Sequence, residues 1–172
     1  MFKYFIIAAI MLYGPYLWCT MRKEPKEIYG LHWEIDGKGL LLVFFCTVFT
    51  LIPLTFVAVK WPGQDLPRTL ALSSVLNYSA VGILAAIVEE TFFRGWLQTI
   101  IRRNLSAILT ILLVSLIFSL SHLFAATHWL RLATFFPGLV MGFLKERTGS
   151  IFPGILYHSL GNIWSIWFFP DF

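Results

Sequence analysis

Residues 69–98 read TLALSSVLNYSAVGILAAIVEETFFRGWLQ: an uncharged run from Thr69 to Val88, then Glu89, Glu90 and, four residues on, Arg94. An apolar run of about 20 residues is what a helix needs to cross the hydrocarbon core of a bilayer. Charges set against such a run are expensive. Insertion scales put Asp, Lys or Arg at about 2.5–3.5 kcal/mol each at the centre of a membrane helix. A partner, a water-filled cavity or both must offset that cost, so the fold has to bring something to meet Glu89, Glu90 and Arg94.

The rest of the chain agrees with a membrane setting. Of 172 residues, 58% are apolar, 17% aromatic and 13% charged, with a mean hydropathy of +0.77. Soluble domains carry about 25% charged residues, twice this proportion. The apolar segments have helical lengths, and the alternating segments of about ten residues that membrane strands require are absent from the sequence. The expected fold class is all-α, a polytopic transmembrane helical bundle of about six spans, forming a single membrane-embedded domain over residues 1–172.

The expected spans are Phe2–Thr20, Gly39–Val59, Thr69 to about Ile101, Leu105–Phe124, Leu130–Leu144 and Ile151–Phe169. Pro53 falls inside the second, and Pro137-Gly138 interrupts the fifth, which is also short. Lys3 before an apolar run could mark a signal peptide, but no small-residue cleavage site follows, so a retained anchor is expected. The loops after spans one, three and five hold Arg22, Lys23, Lys26, Lys38, Arg102, Arg103, Lys145 and Arg147; the opposite side holds Lys3, Lys60, Arg68 and Arg131. Eight cations against four place the first set in the cytoplasm and both termini outside. The same rule accounts for the net charge of +4 without a nucleic-acid partner. Cys19 and Cys46 have no metal-type spacing and read as packing residues.

Three polar groupings carry the chemistry. Glu90 and Arg94 stand at i and i+4 and can pair along one helix face. Glu89 and Arg94, five apart, point about 140° away from each other. Arg94 is thus expected to neutralise Glu90, leaving Glu89 free. The fourth span ends in Phe118-Ser119-Leu120-Ser121-His122, and the sixth holds His158 and Asn162, again at i and i+4. Burying these groups unconnected would cost several kcal/mol each, so they are expected to converge. One carboxylate, two imidazoles and a carboxamide make a hydrolase inventory. A carboxylate can take a proton from water and return it to a leaving amine, and His and Asn can donate to the oxyanion of a tetrahedral intermediate. No Gly-x-Ser-x-Gly elbow is present. A His₂Glu zinc site from Glu89, His122 and His158 is conceivable, but the His-Glu-x-x-His helix of zinc peptidases is missing.

In this order, Glu89-Glu90-x-x-x-Arg94, Phe118-x-x-x-His122 and His158-x-x-x-Asn162 resemble the signature of the CPBP family, the CAAX-protease and bacteriocin-processing membrane proteins, also called the Abi family. The resemblance covers residues 80–165 and extends to Phe93-Arg94-Gly95 and to Gly142 through Pro153. It implies a glutamic-type intramembrane endopeptidase related to CAAX prenyl protease 2, with no cofactor and no required metal. It further implies that Glu89 and His122 activate the attacking water, that His158 and Asn162 form the oxyanion site, and that Glu90 and Arg94 support them. The partners it implies are the bilayer and a membrane-associated peptide or protein tail, in a multi-pass protein of a prokaryotic cell membrane. With about six spans where CAAX endopeptidases tend to have eight, a prenylated tail, a bacteriocin leader and a C-terminal sorting tail all stay open as substrates. A non-enzymatic immunity or scaffold protein of the same family is the alternative, with a zinc-dependent membrane protease beside it.

One geometric difficulty is visible in advance. At about 1.5 Å per residue, Glu89 lies about 20 Å in from Arg102-Arg103, His122 about 28 Å, and His158 only about 12 Å from Ser150. A tilt or a break is needed to align them.

Overall fold

The uncharged runs become helices close to their expected bounds. The computed structural model describes residues 2–63, 65–124 and 128–169. Its helices are α1 (Phe2–Arg22), α2 (Gly37–Val59), α3 (Leu72–Glu90), α4 (Gln98–Arg102), α5 (Ala107–Ser121), α6 (Phe135–Thr148) and α7 (Phe152–Phe168). A π-helix, Thr91–Leu97, joins α3 to α4 without a break. Among the described residues there is no strand. Four helical stretches, Lys3–Arg22, Gly37–Val59, Leu72–Arg102 and Ala107–Phe124, are long and apolar enough to cross a membrane. The remaining two, α6 and α7, are shorter, with 14 and 17 residues.

The bundle carries its apolar side chains outward. Phe49, Leu72 and Ile108 are each more than 70% exposed, as suits a surface solvated by lipid tails. The interior holds Glu90, Arg94 and Gln98, all at 1% exposure or less. The hydroxyls of Thr50 and Thr55 return to the carbonyls of Cys46 and Leu51 four residues back, 2.7 Å each, which satisfies them without water. Cys19 and Cys46 are free thiols. Pro137 and Gly138 do not interrupt a span, contrary to the sequence reading. They sit in the first turn of α6, behind a 3₁₀ turn at Trp129–Thr134. Proline is accommodated there because the first-turn N–H groups have no intrahelical partner to lose.

Contacts between helices fix their directions. Gly95 faces Ile151, Glu90 faces Gly154 and Gly82 faces Asn162, so α3 with its continuation runs antiparallel to α7. Gly138 meets Ser115 and Gly142 meets Ile111, so α5 and α6 are antiparallel too. Tyr157 donates to Thr50 Oγ1 at 3.2 Å and Trp164 to Thr55 Oγ1 at 2.8 Å, which sets α2 parallel to α7. Neighbours in sequence therefore alternate in direction.

The difficulty of depth resolves at the start of α7. The backbone N–H of Ile151 donates to the carbonyl of Gly30 at 3.0 Å, and Ser150 Oγ donates to that of His32 at 2.9 Å. Tyr29 and Leu31 are fully buried beneath the helix ends. A Cβ on Gly95 would lie 2.5 Å from Leu31 and 3.5 Å from Ile151. Helix α7 thus begins level with Gly95, seven residues short of Arg102, or about 10 Å inside. That recess carries His158 down to the two carboxylates. The covering segment is held by Arg103, whose Nη2 donates to Glu24 at 2.7 Å and to the Tyr29 hydroxyl at 2.9 Å. Tyr29 in turn donates to Glu24 and accepts from Trp18 Nε1.

Candidate active site

Arg94 is the largest side chain buried without exposure, and it is surrounded accordingly. Its Nη1 donates to Glu90 Oε1 at 2.9 Å, the i,i+4 pair expected from the spacing. Its Nη2 donates to the carbonyl of Gly138 at 3.3 Å, and its guanidinium carbon lies 4.3 Å from the centre of the Phe118 ring. Charge, hydrogen bond and aromatic face together compensate a cation taken out of water.

The same oxygen of Glu90 faces Nδ1 of His158 at 3.1 Å. An ionised carboxylate only accepts, so Nδ1 carries the hydrogen. On the other side of the ring, Nε2 lies 3.7 Å from Glu89 Oε2. His158 therefore stands between the two adjacent carboxylates of the motif. Their environments differ: the Glu90 side chain is sealed, while that of Glu89 is 25% exposed. Gly154 makes this possible, because a Cβ there would lie 2.8 Å from Glu90 Oε2.

The π-helix follows directly after the two carboxylates. Such insertions mark functional sites more often than chance, and here it accompanies a row of cross-helix bonds. Arg94 donates to the Gly138 carbonyl, Gln98 Nε2 to the Gly142 carbonyl at 3.0 Å, and Arg102 Nε to Glu146 Oε2 at 3.3 Å. Each rung joins residues 44 apart, the mark of two parallel helices in register. On its other side α6 packs on α5, where glycine at 138 and 142 lets the two backbones approach: added Cβ atoms would lie 3.1 Å from Ser115 and 3.0 Å from Ile111. This is the small-xxx-small packing common among membrane helices.

The structure brings Glu89, Glu90, Arg94 and His158 into one cluster. His122 borders it. Its ring centre is 4.6 Å from that of Phe118, which lies 5.8 Å from His158 on another side. His122 Nδ1 is 2.9 Å from the carbonyl of Phe118; a carbonyl only accepts, so Nδ1 is the donor and Nε2 is left as the basic nitrogen. Asn162 lies one turn beyond His158 and donates from Nδ2 to the carbonyl of Gly82 at 2.9 Å, tying α7 to α3. Among the described residues no three His, Cys, Asp or Glu side chains gather in a metal-binding arrangement. Sequence reasoning missed Gln98, Gly138 and Gly154. The four-residue spacing of Arg94, Gln98 and Arg102 opposite Gly138, Gly142 and Glu146 was the available signal.

Residues 71–164 match the family model described as type II CAAX prenyl endopeptidase Rce1-like. The matched stretch opens at the head of α3 and closes two residues after Asn162, so it contains the whole cluster. No curated protein and no solved structure matches the chain.

Proposed function

Because the chain belongs to the Rce1-like family of type II CAAX prenyl endopeptidases, we propose that it is a glutamic-type intramembrane endopeptidase acting through Glu89, His122, His158 and Asn162. The observation that carries this reading is the contrast between the two carboxylates. Glu90 is sealed and held by Arg94, whereas Glu89 is partly open beside a histidine. A base that must meet water and substrate belongs at the open position, and a charge that orients others belongs at the sealed one.

In this mechanism Glu89 takes a proton from water, with His122 sharing the water through Nε2. The hydroxide oxygen bonds to the peptide carbonyl carbon, whose electrons move to its oxygen. Glu89 then passes the proton to the leaving nitrogen as the C–N bond breaks, releasing an acid and an amine. His158 and Asn162 donate to the transient oxyanion. For His158 Nε2 to donate while Nδ1 donates to Glu90, the ring must carry both hydrogens. Its charge and that of Arg94 then balance the two carboxylates. Asn162 must release the Gly82 carbonyl or share its second N–H.

The substrate of this reading is a membrane-associated peptide or protein tail. The enzyme is a multi-pass protein of a prokaryotic cell membrane with its cation-rich loops in the cytoplasm. Reconstitution in liposomes with a peptide library tests it. Cleavage by the wild type and none by Glu89→Ala or His122→Ala is the expected result. Equal cleavage by all three would remove the proposal, and no cleavage by the wild type would leave the non-enzymatic immunity or scaffold reading.

A further inference from the structure

At the cation-rich end of the bundle a cleft of about 350 Å³ opens between the ends of α4 and α6. Arg102, Arg103 and Lys145 line it, with Glu146 the one carboxylate in its wall. These cations come from the ends of two helices far apart in sequence. Orientation rules explain why they lie on this side of a membrane, but not why they surround one concavity.

Their present partners are weak or incomplete. Arg102 and Arg103 pair with Glu146 and Glu24 at 3.3 Å and 2.7 Å, with Arg side chains 46% and 37% exposed. Exposed pairs of this kind contribute about 0–1 kcal/mol each. Arg102 also donates to the Leu105 carbonyl at 3.0 Å and Arg103 to the Tyr29 hydroxyl at 2.9 Å, so an added anion bridges the two cations without replacing these contacts. Lys145 has a single hydrogen bond among the described residues, from Nζ to the carbonyl of Gly149 at 3.1 Å, and no carboxylate within ion-pairing distance. Burial pushes its ammonium below the ordinary lysine value, with the charge of Glu146 opposing the shift. Gln98, 1% exposed, forms part of the wall, and its Oε1 has no hydrogen-bond partner.

We propose that this cleft binds an anionic phosphate group, seated on Lys145 and bridging Arg102 and Arg103. Its place at the membrane–water boundary suits the headgroup of an anionic phospholipid, since basic pockets between membrane helices on the cytoplasmic side take such headgroups. A free phosphate ester offers the same chemistry. The inference does not depend on peptidase activity.

The test is thermal unfolding of the full chain in nanodiscs of phosphatidylcholine alone and of phosphatidylcholine with phosphatidylglycerol, and in phosphatidylcholine nanodiscs with added glycerol phosphate. Wild type, Lys145→Gln, Arg102→Gln and Lys145→Arg are compared. A higher melting temperature with phosphatidylglycerol only, retained by Lys145→Arg and reduced in both glutamine variants, identifies a lipid headgroup. The same pattern with glycerol phosphate identifies a soluble ester. Loss of one cation is expected to weaken apparent affinity about fivefold, matching about 1 kcal/mol per basic residue near a charged surface. Two results overturn the proposal: no anion-dependent shift in the wild type, or a shift in Lys145→Gln and Arg102→Gln as large as that of the wild type.

Discussion

His158 Nδ1 lies 3.1 Å from Glu90 Oε1, the same oxygen that accepts from Arg94 at 2.9 Å. One carboxylate oxygen thus fixes both an imidazole from α7 and a guanidinium from its own helix. The neighbouring carboxylate, Glu89, approaches the far side of the ring at 3.7 Å and keeps a quarter of its surface open. In the proposed mechanism stability and reactivity are divided between these adjacent residues, and substitutions should separate them.

At the open carboxylate, Glu89→Gln should lower peptide cleavage by at least the 10²–10⁴-fold roughly expected for loss of a general base. Its melting temperature should stay close to that of the wild type, because the side chain is partly exposed and makes no close hydrogen bond among the described residues. Single-turnover cleavage and thermal unfolding on the same preparation check both halves. A large fall in melting temperature would assign Glu89 to the structure instead.

Glu90→Ala should behave in the opposite way. It leaves Arg94 buried without its counter-charge, and breaking a buried pair from one side costs about 3–5 kcal/mol. Denaturant unfolding in detergent should show this loss, with a smaller one for Glu90→Gln, which retains an acceptor for Arg94. Gly154→Ala should impair the same site by displacing Glu90, since the new Cβ would meet Oε2 at 2.8 Å.

Along the α5–α6 contact, Gly142→Leu should force the helices apart, because even a Cβ would lie 3.0 Å from Ile111, and it would also meet Gln98 Oε1 at 3.3 Å. Overpacking of this kind costs about 1–3 kcal/mol. Unfolding measurements should place Gly142→Ala between the wild type and Gly142→Leu. Equal stability of all three would mean that the helices are not in close register.

The covering segment introduces a pH dependence outside the spans. Hydrogen bonds from Arg103 and then Tyr29 hold the Glu24 carboxyl below its ordinary value, which is about 4.3 for glutamate. For a carboxylate lowered by folding, the stabilisation is complete above the unfolded value and disappears as pH falls through the folded one. Melting temperature measured downward from pH 6 should decline below about pH 4.3, with a shallower decline in Glu24→Gln. Parallel curves for the two proteins would exclude Glu24 as a contributor.

Zinc is open to a direct check. In the proposed mechanism Glu89 and His122 activate water unaided, so stringent chelation should leave cleavage unchanged. Loss of activity restored by added zinc would replace this mechanism with a metal-dependent one.

Much of this was legible in the chain. Uncharged runs of membrane length set the helices, because a backbone in lipid must satisfy its own hydrogen bonds. Four-residue spacing set the Glu90–Arg94 pair, because those side chains share a helix face whatever surrounds them. Both are local properties. What only the tertiary structure decided is non-local. Glu90 and His158 are 68 residues apart, and their meeting depends on where α7 begins, which the buried Gly30–His32 segment sets by recessing Ile151. The row of bonds from Arg94, Gln98 and Arg102 to α6 likewise joins residues 44 apart and depends on the register of two separate helices. Periodicity along one helix gives the direction of a side chain. It does not give the height of the neighbouring helix, and that height selected the carboxylate that His158 meets.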